Sequence, residues 1–385
     1  MARSALVLLV LLPALPFAAG CGDDSVAPGD VADVSDGGSD RLEARDADDA
    51  DDGGLPPTRR VDLLFVVDTG PGLAEEQAAL ASQVERLVLE LLLPSYDPWT
   101  GSVPPAVEDI HLGLVTADLG SGGFAVPGCA EPDAGDAGVL QVAGDGPVCE
   151  TAYTAPDCPD ADCPWLSHSP EHPDTGTNPL DPPLWDDFAC IARLGEDGCR
   201  FRQPLAAAVR ALTDAAAAGA PNEGFLRPDS VLGVLVLSTV DDCSAADPAL
   251  FDPARADLGT PGTRCGLHPE LAETTASFAD ALLGLRPGLE SRLVFAALAG
   301  VPTDGRWAPG GPLEELAELV QVDPADGERL LPVCSSSRGS AEAPVRLAEL
   351  VERLESHGLL DSICREDWSP VFHVWARRIQ AALGR

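Results

Sequence analysis

Lysine is missing from this chain of 385 residues: all 24 Lys-plus-Arg positions are arginine. P-loops and Schiff-base enzymes, which depend on a lysine, are therefore excluded. Asn and Tyr occur twice each and Met once, beside 38 Gly and 36 Pro, a bias of the kind that GC-rich codons impose. Positive charge is scarce as well. Against 63 acidic residues the net charge is −39, which argues against nucleic acid and against direct contact with an anionic surface. No Gly-x-Ser-x-Gly nucleophile loop and no Cys-x-x-Cys pair occurs. Long apolar runs are almost absent. The longest, Ala5 to Ala19, is interrupted by Pro13 and Pro16 and preceded by Arg3. It is too short and too kinked for a membrane span and fits a secretory signal.

That run closes on Ala18-Ala19-Gly20-Cys21. The segment resembles the lipobox of bacterial lipoproteins, with Ala18 where the family usually has Leu. The resemblance implies a lipoprotein signal peptide over residues 1–21, cleaved before the cysteine, and a lipid on Cys21. It also implies a place in the bacterial cell envelope, outside the cytoplasm, on the outer membrane or a periplasm-facing membrane. Residues 22–60 follow, with 12 acidic residues, 4 Arg and almost no large apolar group. Such a segment cannot bury a core and is expected to be a disordered acidic tether, its ends roughly 35 Å apart.

Ten cysteines remain after Cys21, and an even number in an exported chain reads as a disulfide set. Pairing neighbours in sequence gives Cys190–Cys199, Cys243–Cys265 and Cys334–Cys364, with Cys129–Cys149 and Cys158–Cys163 completing the set. Zinc is the weaker reading, because the closest pair, Cys158 and Cys163, lacks the spacing of a zinc ribbon.

From Val61 onward strands and helices alternate. Strands are expected at Val61–Val67, Ile110–Thr116, Ser230–Ser238, Arg292–Ala299 and, as an edge, Gly358–Cys364. Helices are expected at Ala74–Leu93, Pro204–Ala218, Pro269–Leu285, Val345–Ser356 and Pro370–Leu383. The alternation predicts an α/β fold over 61–385, a doubly wound, mostly parallel sheet covered on both faces. Residues 118–202 break the rhythm with six of the ten cysteines and much Pro, Gly and Asp. They read as a disulfide-rich insertion carrying one short antiparallel strand near Val139–Val142.

The first strand ends on Asp68 and breaks into Thr69-Gly70-Pro71-Gly72 before a helix. A carboxylate there lies at the carboxyl end of a parallel strand, where open α/β sheets place ligand sites. The pattern resembles the first strand and metal loop of von Willebrand factor A (vWA) domains, which carry Asp-x-Ser-x-Ser. More narrowly, Glu75-Glu76-Gln77, His111 to Thr116 and Asp241-Asp242-Cys243-Ser244 resemble a group of bacterial lipoproteins with a vWA-like domain. The resemblance implies a metal-ion-dependent adhesion site, but in degenerate form. Asp68 stands in place, whereas Gly70 and Gly72 replace the two serines. Arg202 and Gln203 stand where a Thr belongs. Thr239 takes the position of the later Asp, with Asp241 and Asp242 displaced beyond it. No resident cofactor is expected from such a set, and at most weak Mg²⁺ or Ca²⁺ coordination by Asp68, Asp241 and Asp242. Without a metal, Asp68 would accept backbone N–H bonds in its turn, a cap-like role worth about 1 kcal/mol.

The other candidates have simpler readings. Asp157, Asp160 and Asp162 lack the Gly and closing Glu of a calcium loop. Pro170 lies between His168 and His172 and prevents a helical metal face. Ser335-Ser336-Ser337 follows a cysteine, not a strand–helix elbow. The expectation is a lipid-anchored, extracytoplasmic, non-enzymatic binding or scaffold module. Its partner would be a protein, and its contact with membrane would be through the N-terminal lipid alone. The rival is an extracytoplasmic metal-dependent hydrolase using Asp68 with Asp241 and Asp242.

Overall fold

The computed structural model describes residues 56–98, 101–142, 164–169 and 184–384. Residues 1–55, with Cys21 and most of the acidic tether, lie outside that set, as do Cys149, Cys158, Cys163, His172 and the Asp157–Asp162 cluster.

Strand β1 (Arg60–Val67) is buried along almost its whole length, as an apolar run inside a parallel sheet should be. It pairs in parallel with β2 (Asp109–Thr116) on one side and β4 (Val231–Leu237) on the other. From β4 the sheet continues in parallel to β5 (Leu293–Ala299) and β8 (Gly358–Ser362). At the opposite edge β3 (Leu166–His168) runs antiparallel to β2. The six-stranded order is therefore β3-β2-β1-β4-β5-β8, and chain order reverses between β1 and β4. That reversal opens a crevice at the carboxyl ends of the strands.

Alternation along the strands sorts side chains into two cores. Val61, Leu63, Phe65 and Val67 pack under α1 (Ala74–Leu92), α2 (Leu184–Ile191) and α8 (Ser369–Leu383). There the Phe65 ring lies 4.8 Å from Phe188 and 5.9 Å from Trp375. Leu64 and Val66 pack on the other face, under α3 (Pro204–Leu212), α5 (Thr275–Gly284) and α7 (Val345–Arg353). Short elements fill the connections: α4 (Arg264–Leu267), α6 (Leu313–Ala317) and a hairpin of β6 (Cys334–Ser335) and β7 (Ser340–Ala341). The fold is thus a three-layer α/β architecture around a mixed, mostly parallel sheet.

Several expectations shift in detail. The antiparallel strand is Leu166–His168 and not Val139–Val142. At 139–142 the Gln141 N–H reaches Leu114 O of β2 at 2.8 Å, while the Leu140 N–H goes to Asn222 Oδ1 at 3.0 Å, and the contact stays a single bond and not a ladder. The same Asn222 ends α3 early, because its Nδ2 donates to Ala211 O at 3.0 Å. The helix expected over Pro269–Leu285 begins only at Thr275, where Thr274 Oγ1 accepts the Ser277 N–H. At the N-terminal side Thr58 is already buried and donates its N–H to Leu383 O. Residues 56–60 therefore belong to the folded body and not to the tether.

The cysteines need a larger correction. Cys243–Cys265 and Cys334–Cys364 pair as neighbour spacing suggests. Cys199, however, pairs with Cys129 across 70 residues, so neither Cys190–Cys199 nor Cys129–Cys149 forms. Cys190 is disulfide-bonded elsewhere. The reason is a third, small core of Val126, Phe201, Leu250 and Phe251, in which Cys199 and Cys243 are buried. Two disulfides thereby fasten the start and end of the 118–202 insertion, and the loop after β4, over the carboxyl edge of the sheet.

Candidate functional site

Asp68 follows β1 and is fully buried. A buried carboxylate needs donors for its lone pairs, and four are present. Oδ1 accepts from the Gly70 N–H at 2.8 Å and from Arg202 Nε at 3.0 Å. Oδ2 accepts from Ser238 Oγ at 3.2 Å and Thr239 Oγ1 at 3.3 Å, both just beyond β4. The Asp68 turn is itself clamped by the end of the insertion. Gly198 N–H donates to Thr69 O, Gly72 N–H to Glu196, and Gln77 Nε2 to Gly195 O. This gives the Glu75-Glu76-Gln77 segment a structural task, since Gln77 Oε1 also accepts the Leu194 N–H.

Arg202 decides what the site is. Its guanidinium stands against Gly70 so closely that a Cβ at residue 70 would lie 1.6 Å from Nη2. A serine there and Arg202 in this position are mutually exclusive. Gly72 keeps the turn open at φ +88°, a conformation that favours glycine. The residues therefore do not fit a metal ion. Residues 70 and 72 offer no hydroxyl, the Asp68 carboxylate already accepts from protein donors, and a fixed cation fills the adjacent space. Among the described residues no group of three or more His, Cys, Asp and Glu side chains is placed to hold a metal.

The three carboxylates that the sequence suggested as weak ligands point in different directions. Asp242, fully buried, accepts from Leu205 N–H at the start of α3 and from Arg346 Nη2 at 2.9 Å. Its neighbour Ser244 accepts the Ala206 N–H, completing the hold on α3. Asp241 instead accepts the N–H groups of Arg346 and Leu347 at the start of α7, where the helix dipole favours a negative charge. Asp241-Asp242-Cys243-Ser244 is thus a stitch: two helix N-termini and one disulfide fixed by four consecutive residues. Gln203 likewise serves structure, donating to Gly120 O at 3.0 Å.

Beside Arg202 a cavity of about 270 Å³ opens at the β1/β4 crevice, lined among others by Thr239, Asp241, Pro261, Leu330 and Glu342. Arg200, Glu328 and Arg329 stand around it. Burial pushes the Asp241 carboxyl up to about 6, partly offset by the Arg346 N–H and guanidinium. Burial pushes Glu342 up to about 7, against the Leu330 N–H and the positive charge of Arg202, with Asp241 and Asp68 adding to the rise. Two carboxyls raised toward neutrality by burial, next to a fixed arginine in a crevice, mark this as the candidate site.

Sequence reading located Asp68 and the crevice, but it treated Arg202 as a missing ligand and passed over Glu342. The signal for Arg202 is its coincidence with Gly70: a residue without a side chain and a cation at positions that meet. Glu342 carries the signal of an acid in an otherwise apolar stretch, Ala341-Glu342-Ala343-Pro344, just before α7. No protein-family model matches the chain, and no curated protein matches it.

Proposed function

We propose that the protein is a lipid-anchored, extracytoplasmic, vWA-like binding module, non-enzymatic, whose site cation is Arg202 in place of a metal ion. The observation that carries this reading is the Arg202–Asp68 pair, with Nη2 in the space over Gly70. The strand order and the antiparallel edge strand are compatible with a vWA-like sheet, and the position of Asp68 at the switch point is where such a site belongs. The chain enters the sheet at Arg60 and reaches the crevice at Asp68, roughly 25 Å farther along the strand. Asp68 and its crevice therefore lie at the opposite end of β1 from the point where the chain enters the sheet.

A metal-dependent hydrolase would need Asp68, Asp241 and Asp242 to converge on one ion. Their oxygens instead serve Arg202, α7 and α3. Two experiments test the proposal. Palmitate label should enter the full chain and be lost in Cys21→Ser; label surviving that change contradicts the anchor. Calorimetric titration with Mg²⁺ should show no saturable heat; a stoichiometric one contradicts the arginine-for-metal reading.

A further inference from the structure

Arg202 is only partly committed. Nε donates to Asp68 and Nη1 to the Arg200 carbonyl at 2.7 Å, while Nη2 makes no hydrogen bond to any described residue. The side chain is 13% exposed, and that exposure is to the cavity it lines. A fork-shaped donor with one free arm recognises a planar oxyanion. The surroundings narrow the choice. Glu342, Asp241, Asp68 and Glu328 stand near the space, so a doubly charged anion would meet several acids at once. A singly charged, planar group meets about half that repulsion, and a protonated Glu342 would be a second donor to it. Arg329 adds little, because it is engaged with Asp323 and Asp326. At about 270 Å³ the cavity holds an acidic side chain or a small acid, at the low end of the range for ligand pockets.

We infer that this cavity receives a carboxylate group, gripped by the free Nη2 arm of Arg202 with Arg200 at the mouth. The inference rests on the binding-module reading and names the chemistry of its partner. The carboxylate can come from an acidic side chain, a chain terminus or a free small acid. One set of probes separates these sources.

The full-length protein, ¹⁵N-labelled at arginine, is titrated while the Arg202 Nε–H resonance is followed. The probes are an end-blocked tripeptide with glutamate between alanines, trialanine blocked only at its amino end, and propionate. The blocked tripeptide with glutamine is the control. At least one acid should give a saturable shift that the glutamine control does not, and the responding arm identifies the source. Arg200→Glu, a change at an exposed side chain, should weaken that response at least about tenfold by placing a like charge at the mouth. Arg202→Lys should abolish saturable binding of the same probe in calorimetric titration, since the free planar arm is lost. As a secondary readout, affinity should fall about tenfold between about pH 6 and about pH 8, and Glu342→Gln should flatten that dependence. Silence toward all three acids, an equal response to the glutamine peptide, or indifference to Arg200→Glu overturns the inference. A Mg²⁺-dependent shift of the same resonance would instead overturn the arginine-for-metal reading beneath it.

Discussion

Strand β1 carries a buried aspartate near each end, on the same face, and each is paired with an arginine. Asp62 and Asp68 are both fully buried, yet their environments differ. At the amino end Arg227 is spent completely. Its N–H and Nε hold Asp62, Nη1 pairs with Asp109, and Nη2 donates to the Val61 carbonyl at 2.8 Å. Ser230 closes on Asp62 as well, and Arg286 caps the Ser230 carbonyl. At the carboxyl end Arg202 keeps one arm unused beside a cavity whose acids are pushed toward neutrality. A buried ion pair alone therefore says nothing about function. The closed network is structural; the open one is the candidate site.

The sharpest way to break this comparison is to remove each aspartate. Asp62→Ala should cost about 3–5 kcal/mol in denaturant unfolding, because the backbone N–H and Nε of Arg227 lose their acceptor and a network centred on Asp62 is opened. Asp68→Ala should cost less, about 2 kcal/mol, since the freed guanidinium can turn into the cavity. That is still more than the 1 kcal/mol or so of a simple cap. Equal losses, or the reverse order, would show that the two ends are energetically alike. Between these lies the disulfide over the crevice. Cys243→Ser with Cys265→Ser opens a link spanning 22 residues and should cost about 3 kcal/mol. Hydrogen exchange should rise around residues 198–202 and not around Arg227.

Smaller effects separate the two ends by pH. Asp241 and Glu342 have folded pKa values raised above their usual 3.8 and 4.5, to about 6 and about 7. The fold favours their neutral forms, so this contribution is whole below about pH 4 and is lost as pH rises to about 7. Glu342→Gln should then stabilise the protein at about pH 8, by about 1–2 kcal/mol, and barely at pH 4. The amino end runs the other way. Burial holds His111 below its usual 6.5, while its Nδ1 bonds Phe225 O, so its contribution is present above about pH 6.5 and is lost as pH falls. His111→Gln should reduce the acid-side loss only.

Much of this fold is legible in the sequence because it rests on local pattern. The apolar run Val61–Val67 can only be a buried strand, and the face of α1 that packs on it, from Leu80 to Leu91, repeats at helical spacing. Asp68 is visible for the same reason: a carboxylate where a strand breaks into Gly and Pro. What escapes local pattern is set by contacts between distant segments. Cys199 finds Cys129 because Phe201 and Phe251 make a small core there, ring centroids 4.6 Å apart. Leu166–His168 forms the edge strand against Ile110–Leu112, whereas residues 139–142 keep only one backbone bond to β2 and give another N–H to Asn222. Arg202 becomes the site's cation only because residue 70, on another loop, has no side chain.

That last point is the centre of the account, and thermal melting tests it most directly. The full-length protein is melted in millimolar Mg²⁺, in millimolar Ca²⁺ and in EDTA, beside Asp68→Ala. With Arg202 as the fixed cation, the three melting temperatures of the wild type should coincide, and Asp68→Ala should lower all three equally. A rise in melting temperature with Mg²⁺ or Ca²⁺ that disappears in Asp68→Ala would mean that an ion displaces Arg202 from the carboxylate, and would contradict the account.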